Sequence, residues 1–280
     1  LVTISISCVG IYPISLTASN ASCTRTVIDS VIVYEAPNVN FGATPQQACV
    51  PQMVQFVDWS TIVVDTIISW DWTLNGSFLD TLQNTSYQFD TAGTNTVLLL
   101  VTTNNGCTDT LSNIIEIFPN PTVDAGNDTT ICTGQTVQLN ATGAVSYTWN
   151  ANPSLSCTNC PNPIASPMVT TDYIVTAVDA NGCSDIDTIT VSVNVKPVAI
   201  SPSLPFLDCE GTQVSFTDAS TISSGSIVSW DWDFGVAGGT STMQNPQYTY
   251  NGSGSFTVQL IVTSDMNCSD TLTEQVIMNQ

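Results

Sequence analysis

The stretch Gly93-Thr-Asn-Thr-Val97-Leu-Leu99-Leu-Val101-Thr-Thr-Asn-Asn-Gly-Cys107 decides the fold. Val97, Leu99 and Val101 stand at every second position, the spacing that puts side chains on one face of a β-strand. Gly93 opens the strand as a turn residue, and a short polar loop leads to the cysteine. The pattern occurs twice more, as Gly10, Tyr12, Ile14, Leu16, Ala18 then Cys23, and as Gly254, Phe256, Val258, Leu260, Val262 then Cys268. Recurrence of one strand-and-loop unit along a chain marks a tandem array.

Two of the copies also agree upstream. Cys49 precedes Trp70-Asp71-Trp72 by 21 positions, and Cys209 precedes Trp230-Asp231-Trp232 by the same 21. Cys49 to Cys107 is 58 residues and Cys209 to Cys268 is 59. Matching spacings predict that each copy closes its own disulfide. Between the two lies a different module, with alternating Val137, Leu139 and Ala141, then Tyr147-Thr-Trp149, then Tyr173, Val175 and Ala177. Its natural pair on the same reasoning is Cys132–Cys183. Residues 1–36 hold only closing strands, so the chain reads as a piece of a longer array. The expected segments are 1–36, 37–118, 119–196 and 197–280, joined by short Pro-containing connections that restrict bending.

Val, Ile and Thr dominate, turn signals recur every 8–12 residues or so, and no window has a helical period. The fold class expected is all-β, a row of immunoglobulin-like sandwiches. The chain has 280 residues, 42% of them hydrophobic, enough to bury several cores. Charge is lopsided: 23 Asp and Glu against two cations, Arg25 and Lys196, for a net −21. Phosphate backbones and anionic lipid headgroups need a basic surface, so nucleic acid and anionic membranes are excluded as partners. No apolar run is long enough to span a bilayer as a helix. Ten cysteines point to an oxidising compartment, outside the cell.

These residues resemble a known family. Trp230-Asp-Trp-Asp-Phe-Gly235, Asn245-Pro246-x-Tyr248-x-Tyr250 and the Gly254-x-Phe-Thr-Val strand look like PKD (polycystic kidney disease) domains, which are seven-stranded immunoglobulin-like sandwiches. Residues 37–118 follow the pattern more loosely, with Thr73-Leu74 in place of Asp-Phe and Asn84-Thr-Ser-Tyr87 in place of Asn-Pro-x-Tyr. The middle module is similar to immunoglobulin-like repeats found beside PKD domains in Bacteroidota, through Asp124-Ala-Gly-Asn-Asp128, Cys157-Thr-Asn-Cys160-Pro-Asn-Pro163 and Thr170-Thr-Asp-Tyr173. The resemblance implies a large surface or secreted protein, of the gliding-adhesin kind exported by type IX secretion, or spacers in a secreted hydrolase.

Each chemically suggestive motif has a structural reading beside it. Trp-Asp-Trp is either an aromatic platform for sugar or, as favoured, a core Trp packed near the disulfide with an Asp fixing a turn. Cys157-x-x-Cys160 lacks the further ligands a zinc site needs, so it reads as a loop-stapling disulfide. Cys8 and Cys23 flank an extended strand that would hold them apart, so either they bond each other or Cys23 takes a cysteine upstream. Asp124 with Asp128, and Asp179 with Asp185 and Asp187, have the oxygen chemistry of a Ca2+ site but no EF-hand spacing; solvated turn acids are the favoured reading and no cofactor is expected. Asp followed by Ser or Thr recurs at Ser30, Thr66, Thr81, Thr91, Thr110, Thr129, Thr188 and Thr271. That pattern resembles the O-glycosylation acceptor of Bacteroidota, and equally a strand-end Asp beside a β-favouring residue.

Catalysis fails on inventory, since His is absent and no nucleophile has a base beside it. The function expected is a non-catalytic stalk or spacer in an extracellular adhesin or filament, with neighbouring repeats as partners. The alternative is a set of carbohydrate- or protein-binding accessory domains of a secreted hydrolase, contacting surface glycans or proteins.

Overall fold

A computed structural model describes residues 3–5 and 9–280, so Cys8 lies outside the described residues. The described chain contains strands and no helices. It divides into two compact units, residues up to Asn120 with Ala180–Cys183, and Pro121–Asp179 with Ser184–Gln280.

In the first unit, β1 (Gly10–Ser19) and β2 (Thr24–Val33) form a two-stranded antiparallel ribbon. Leu16 and Ile28 on it are 73% and 70% exposed, so its alternating residues have no sheet covering them among the described residues. The rest of the unit is a sandwich of two sheets. One has three strands, β3 (Phe41–Thr44), β5 (Gln52–Asp58) and β8 (Thr85–Phe89), in the order β3-β5-β8. The other has five, from β4 (Gln47–Cys49), β6 (Ile67–Leu74), β7 (Ser77–Asp80), β9 (Gly93–Thr103) and β10 (Thr108–Phe118), in the order β4-β10-β9-β6-β7. The strand that opened the reading is β9, at the centre. Its Val97, Leu99 and Val101 are fully buried against Val54, Phe56 and Trp72, as alternation requires.

The second unit holds two cores. Around Trp149, Tyr173 and Val175 lie the sheet β11-β16-β15-β13, built from Thr129–Cys132, Ser184–Asn194, Thr171–Val178 and Ser146–Trp149, and the pair β12 (Val137–Gln138) with β14 (Ile164–Ala165). Around Trp232, Phe216 and Leu260 lie the sheet β17-β23-β22-β19-β20, built from Phe206–Cys209, Ser269–Asn279, Gly254–Ser264, Ile227–Asp233 and Thr240–Ser241, and the pair β18 (Gln213–Ser215) with β21 (Gln247–Thr249). The fold class is thus all-β and immunoglobulin-like. In all three sandwiches a short edge strand pairs parallel with the last long strand: β4 with β10, β11 with β16, β17 with β23.

The two Trp residues of each Trp-Asp-Trp motif stand two apart on one face of the strand, after the bulge at its start, and do different jobs: one lies inside the core and one at its margin. Trp72 and Trp232 are core residues at 0% and 1% exposure, packed on Phe56 and Phe216. No cystine lies in either core, so the packing expected between Trp and a disulfide does not occur. Trp70 and Trp230 are half-buried, and each donates its indole N–H to a carboxylate at 2.7 Å, Asp58 and Asp218 respectively. The surroundings repeat atom for atom. Ser60 and Ser220 donate backbone N–H to the same aspartates, Gln83 and Gln244 donate side-chain N–H, and Asn84 and Asn245 accept from the aspartate N–H. This five-residue lock was missed in the sequence, although all five residues recur there at spacings that agree to within one residue.

Burial raises the Asp218 pKa, but the hydrogen bonds from Ser220, Gln244 and Trp230 outweigh it and hold the carboxyl below its ordinary value. A carboxyl depressed in the folded state stabilises above its unfolded pKa, and that stability is lost as pH falls through the folded pKa. Acid titration of the urea midpoint below about pH 4 should therefore destabilise the Trp232 sandwich, and Asp218→Asn should flatten that slope. Trp72→Ala should destabilise its own sandwich by about 3–5 kcal/mol. Hydrogen exchange resolved by segment should show the loss in residues 39–117 and leave 199–278 protected as before.

Candidate functional site

Cysteine placement is the feature of this chain with most chemical consequence. The within-sandwich pairs expected from spacing, Cys49–Cys107, Cys132–Cys183 and Cys209–Cys268, do not form. The bonds are Cys49–Cys183 and Cys132–Cys268, with Cα atoms 5.4 and 5.7 Å apart, while Cys107, Cys209 and Cys23 are free. The reason is the register of the parallel edge strand. Cys49 sits opposite Phe118 at the far end of β10, whereas Cys107 immediately precedes Thr108 at its near end. At about 3.3 Å per residue the length of β10 separates them by roughly 35 Å, and a disulfide spans Cα atoms only about 4–7 Å apart. The same geometry holds for Cys132, opposite Asn194, with Cys183 just before Ser184, and for Cys209, opposite Asn279, with Cys268 just before Ser269.

Each sandwich thus carries one cysteine at its strand end and one in its last hairpin turn. Both observed bonds run from the strand-end cysteine of one sandwich to the hairpin cysteine of the next in sequence. The hairpin turns are built to hold that cysteine. In the turn after β22, Asn267 adopts a left-handed φ of 59° and donates its N–H to the Ser264 carbonyl. Ser264 is fully buried, and its hydroxyl accepts the Cys268 N–H at 3.1 Å. Thr103, Gly106 (φ 80°) and Cys107 repeat the arrangement after β9. Gly182 supplies the left-handed residue before Cys183.

Within the second unit the surroundings of Cys132–Cys268 form a joint. The Asn194 carbonyl lies 3.8 Å from the Cys268 sulfur, a contact only, because a cystine sulfur has no proton to donate, and its side-chain amide donates to the Met266 carbonyl at 3.3 Å. Lys196 pairs with Asp270 at 2.6 Å, and Asp270 also accepts the Ala199 N–H. One of the chain's two cations therefore sits at this joint. Its worth is modest, since the lysine side chain is 43% exposed.

Cys157 and Cys160 are bonded, with the carbonyl of Cys160 accepting the Trp149 indole N–H, so this small loop is pinned to a core residue. The acids considered for Ca2+ are occupied by backbone amides: Asp124 accepts from Gly126, Asp128 from Thr190, Asp185 from Ile186 and Asp187 from Ala125. Asp179 is also partnered. No group of three or more His, Cys, Asp or Glu is placed to hold a metal among the described residues. Of the residues in the Asp-Ser/Thr pattern, Ser30, Thr66, Thr81, Thr91, Thr110, Thr188 and Thr271 are exposed, and Thr129 is half-buried. The preceding aspartate caps the backbone N–H of Ser30, Thr66 and Thr81. Among the large exposed aromatics, Trp59 is 59% exposed and lies against Gly42, where a Cβ would meet the ring at 2.3 Å.

Residues 194–278 match the family model for the PKD domain, and this segment is a PKD domain. A stretch of 78 residues is 44% identical to the pre-pro-metalloprotease PrtV of Vibrio cholerae serotype O1, covering 28% of this chain and 8% of that protein. The chain thus spans a small fraction of the curated relatives it matches. Among solved structures, the PKD1 domain of Vibrio cholerae PrtV is 38% identical, covering 30% of this chain and 99% of that one, at a TM-score of 0.26. The PKD1 domain of Vibrio anguillarum Epp is 33% identical over 30% of this chain and 94% of its own, at 0.27. The three-domain titin fragment I67–I69 is 12% identical over 89% of this chain and all of its own, at 0.43.

Removing the buried hydroxyl tests the turn. Ser264→Ala leaves the Cys268 N–H without that acceptor and should cost about 1–3 kcal/mol locally. Faster amide exchange across residues 264–268, with the Trp232 core still protected, is the expected result.

Proposed function

We propose that this chain is a force-bearing, non-catalytic segment of an extracellular stalk, made of the modules 1–36, 37–118, 119–196 and 197–280. One observation carries the reading: the two long disulfides overlap. Cys49–Cys183 spans 134 residues and Cys132–Cys268 spans 136, and the second opens inside the first. The shortest covalent route from end to end therefore runs to Cys49, crosses to Cys183, returns along the chain to Cys132, and crosses to Cys268. Tension on the ends passes through sulfur bonds and by-passes most of the polypeptide. A catalytic or ligand-binding module gains little from such wiring; a tether under load gains a limit on its extension.

Composition and fold point the same way. Sandwiches and an acidic surface with two cations suit a hydrated spacer, and the chain has no histidine to act as a general base. Disulfides of this span call for an oxidising compartment, hence a place on the cell surface or in the secreted fraction. An adhesin exported by a type IX route, with O-glycans on the Asp-Ser/Thr sites, is the form of stalk that the sequence resemblance favours. Neighbouring repeats are its partners, and it needs no bound cofactor.

The second reading, accessory modules of a secreted hydrolase, draws on the match to a metalloprotease and on exposed Trp59. Single-molecule stretching between the ends separates the two. The oxidised chain should extend to less than half of the roughly 950 Å that 280 residues reach when drawn out, and reductant should restore the full length. Full extension without reductant, together with retention on a polysaccharide or protein column that Trp59→Ala abolishes, would instead establish the accessory role.

A further inference from the structure

The three strand-end cysteines take the same place on a parallel edge strand, Cys132 and Cys209 share the turn that follows it, and of the three Cys49 and Cys132 are bonded. Cys132 lies opposite Asn194, and the turn Cys132-Thr-Gly134-Gln135 follows, with Gly134 at φ 87° and the Gln135 N–H donated to the Cys132 carbonyl. Cys209 lies opposite Asn279, and Cys209-Glu-Gly211-Thr212 follows, with Gly211 at φ 83° and the Thr212 N–H donated to the Cys209 carbonyl. Thr133 N–H bonds the Asn194 carbonyl as Glu210 N–H bonds the Asn279 carbonyl. At the first place, Cys132 and Asn194 hold the hairpin of the next sandwich through a disulfide and contacts to Cys268 and Met266. At the second, the same pair of side chains is present and Cys209 is exposed.

We propose that Cys209 and Asn279 are the open half of a third joint of this kind, and that Cys209 is bonded to the last-hairpin cysteine of a further sandwich module in the same polypeptide. The two observed bonds span 134 and 136 residues, which places the partner roughly 135 residues beyond Cys209. Its turn should carry Gly or Asn just before the cysteine, as Gly106-Cys107, Gly182-Cys183 and Asn267-Cys268 do, because that residue must take the left-handed conformation. Bond formation removes one proton from each thiol and two electrons in all. The electrons pass to the active-site disulfide of a thiol oxidase of exported proteins, which becomes a dithiol.

The inference concerns sulfur connectivity and stands or falls apart from the load-bearing role. The test is disulfide mapping of the native parent protein, alkylated with iodoacetamide on isolation and digested with pepsin in acid without reductant. The expected product joins the Cys209 peptide to a peptide with Gly-Cys or Asn-Cys from a segment C-terminal to residue 280. Recovery of Cys209 as the alkylated thiol, or bonded to Cys23, Cys107 or Cys268 of the same or a second copy, would overturn the proposal. In the 280-residue chain, Cys209→Ser should leave the melting temperature unchanged; a drop of several degrees would reveal a partner within the module and overturn it too.

Discussion

The bond between a strand-end cysteine and the hairpin turn of the following sandwich is the constraint on which the rest depends. It works because two rigid pieces are presented to each other. The strand end is held by parallel pairing to the longest strand of its sheet, and the turn by a left-handed residue and, at Thr103 and Ser264, a buried hydroxyl. In the chain-entropy model, closing a loop of this span contributes on the order of 5 kcal/mol. The mechanical consequence is larger than the thermodynamic one, since overlapping loops reroute the covalent path through sulfur.

Stability inside each sandwich comes from elsewhere. Three separate cores, each centred on one fully buried tryptophan, bury the alternating residues of the long central strands. In the Trp232 sandwich a run of rings, Phe234 on Tyr248, Tyr248 on Tyr250 and Tyr250 on Phe256, fills the space beside it. Tyr250 is buried and donates its hydroxyl to the Phe234 carbonyl, and burial raises its pKa well above the ordinary range. The Asp-Trp lock then closes the margin of the same core. With these in place the cystines are released from holding two sheets together and serve joints instead.

The acidic surface fits this division. Local hydrogen bonds stabilise ionised aspartates, as at Asp65 and Asp80, where the Thr66 backbone N–H and the Thr85 hydroxyl respectively hold the carboxyls below their ordinary values. Such carboxylates stay ionised and keep the surface hydrated. The cation Lys196 is placed where it meets an aspartate at a joint.

Period-two alternation, turn glycines and repeated Cys and Trp spacings were enough to read the fold class, the central strands and the tandem arrangement, because each is a local property of the chain. The disulfide partners were beyond that reach for a specific reason. In a tandem array the distance from a strand-end cysteine to its own hairpin cysteine and to the next one are both constant, so equal spacings support either choice. The parallel register rules out one choice, by placing Cys49 and Cys107 at opposite ends of one strand, and the bond goes to Cys183 instead. The Asp58 and Asp218 locks were legible as recurring letters but gained meaning only when folding brought residues 58 and 70, or 218 and 230, to 2.7 Å.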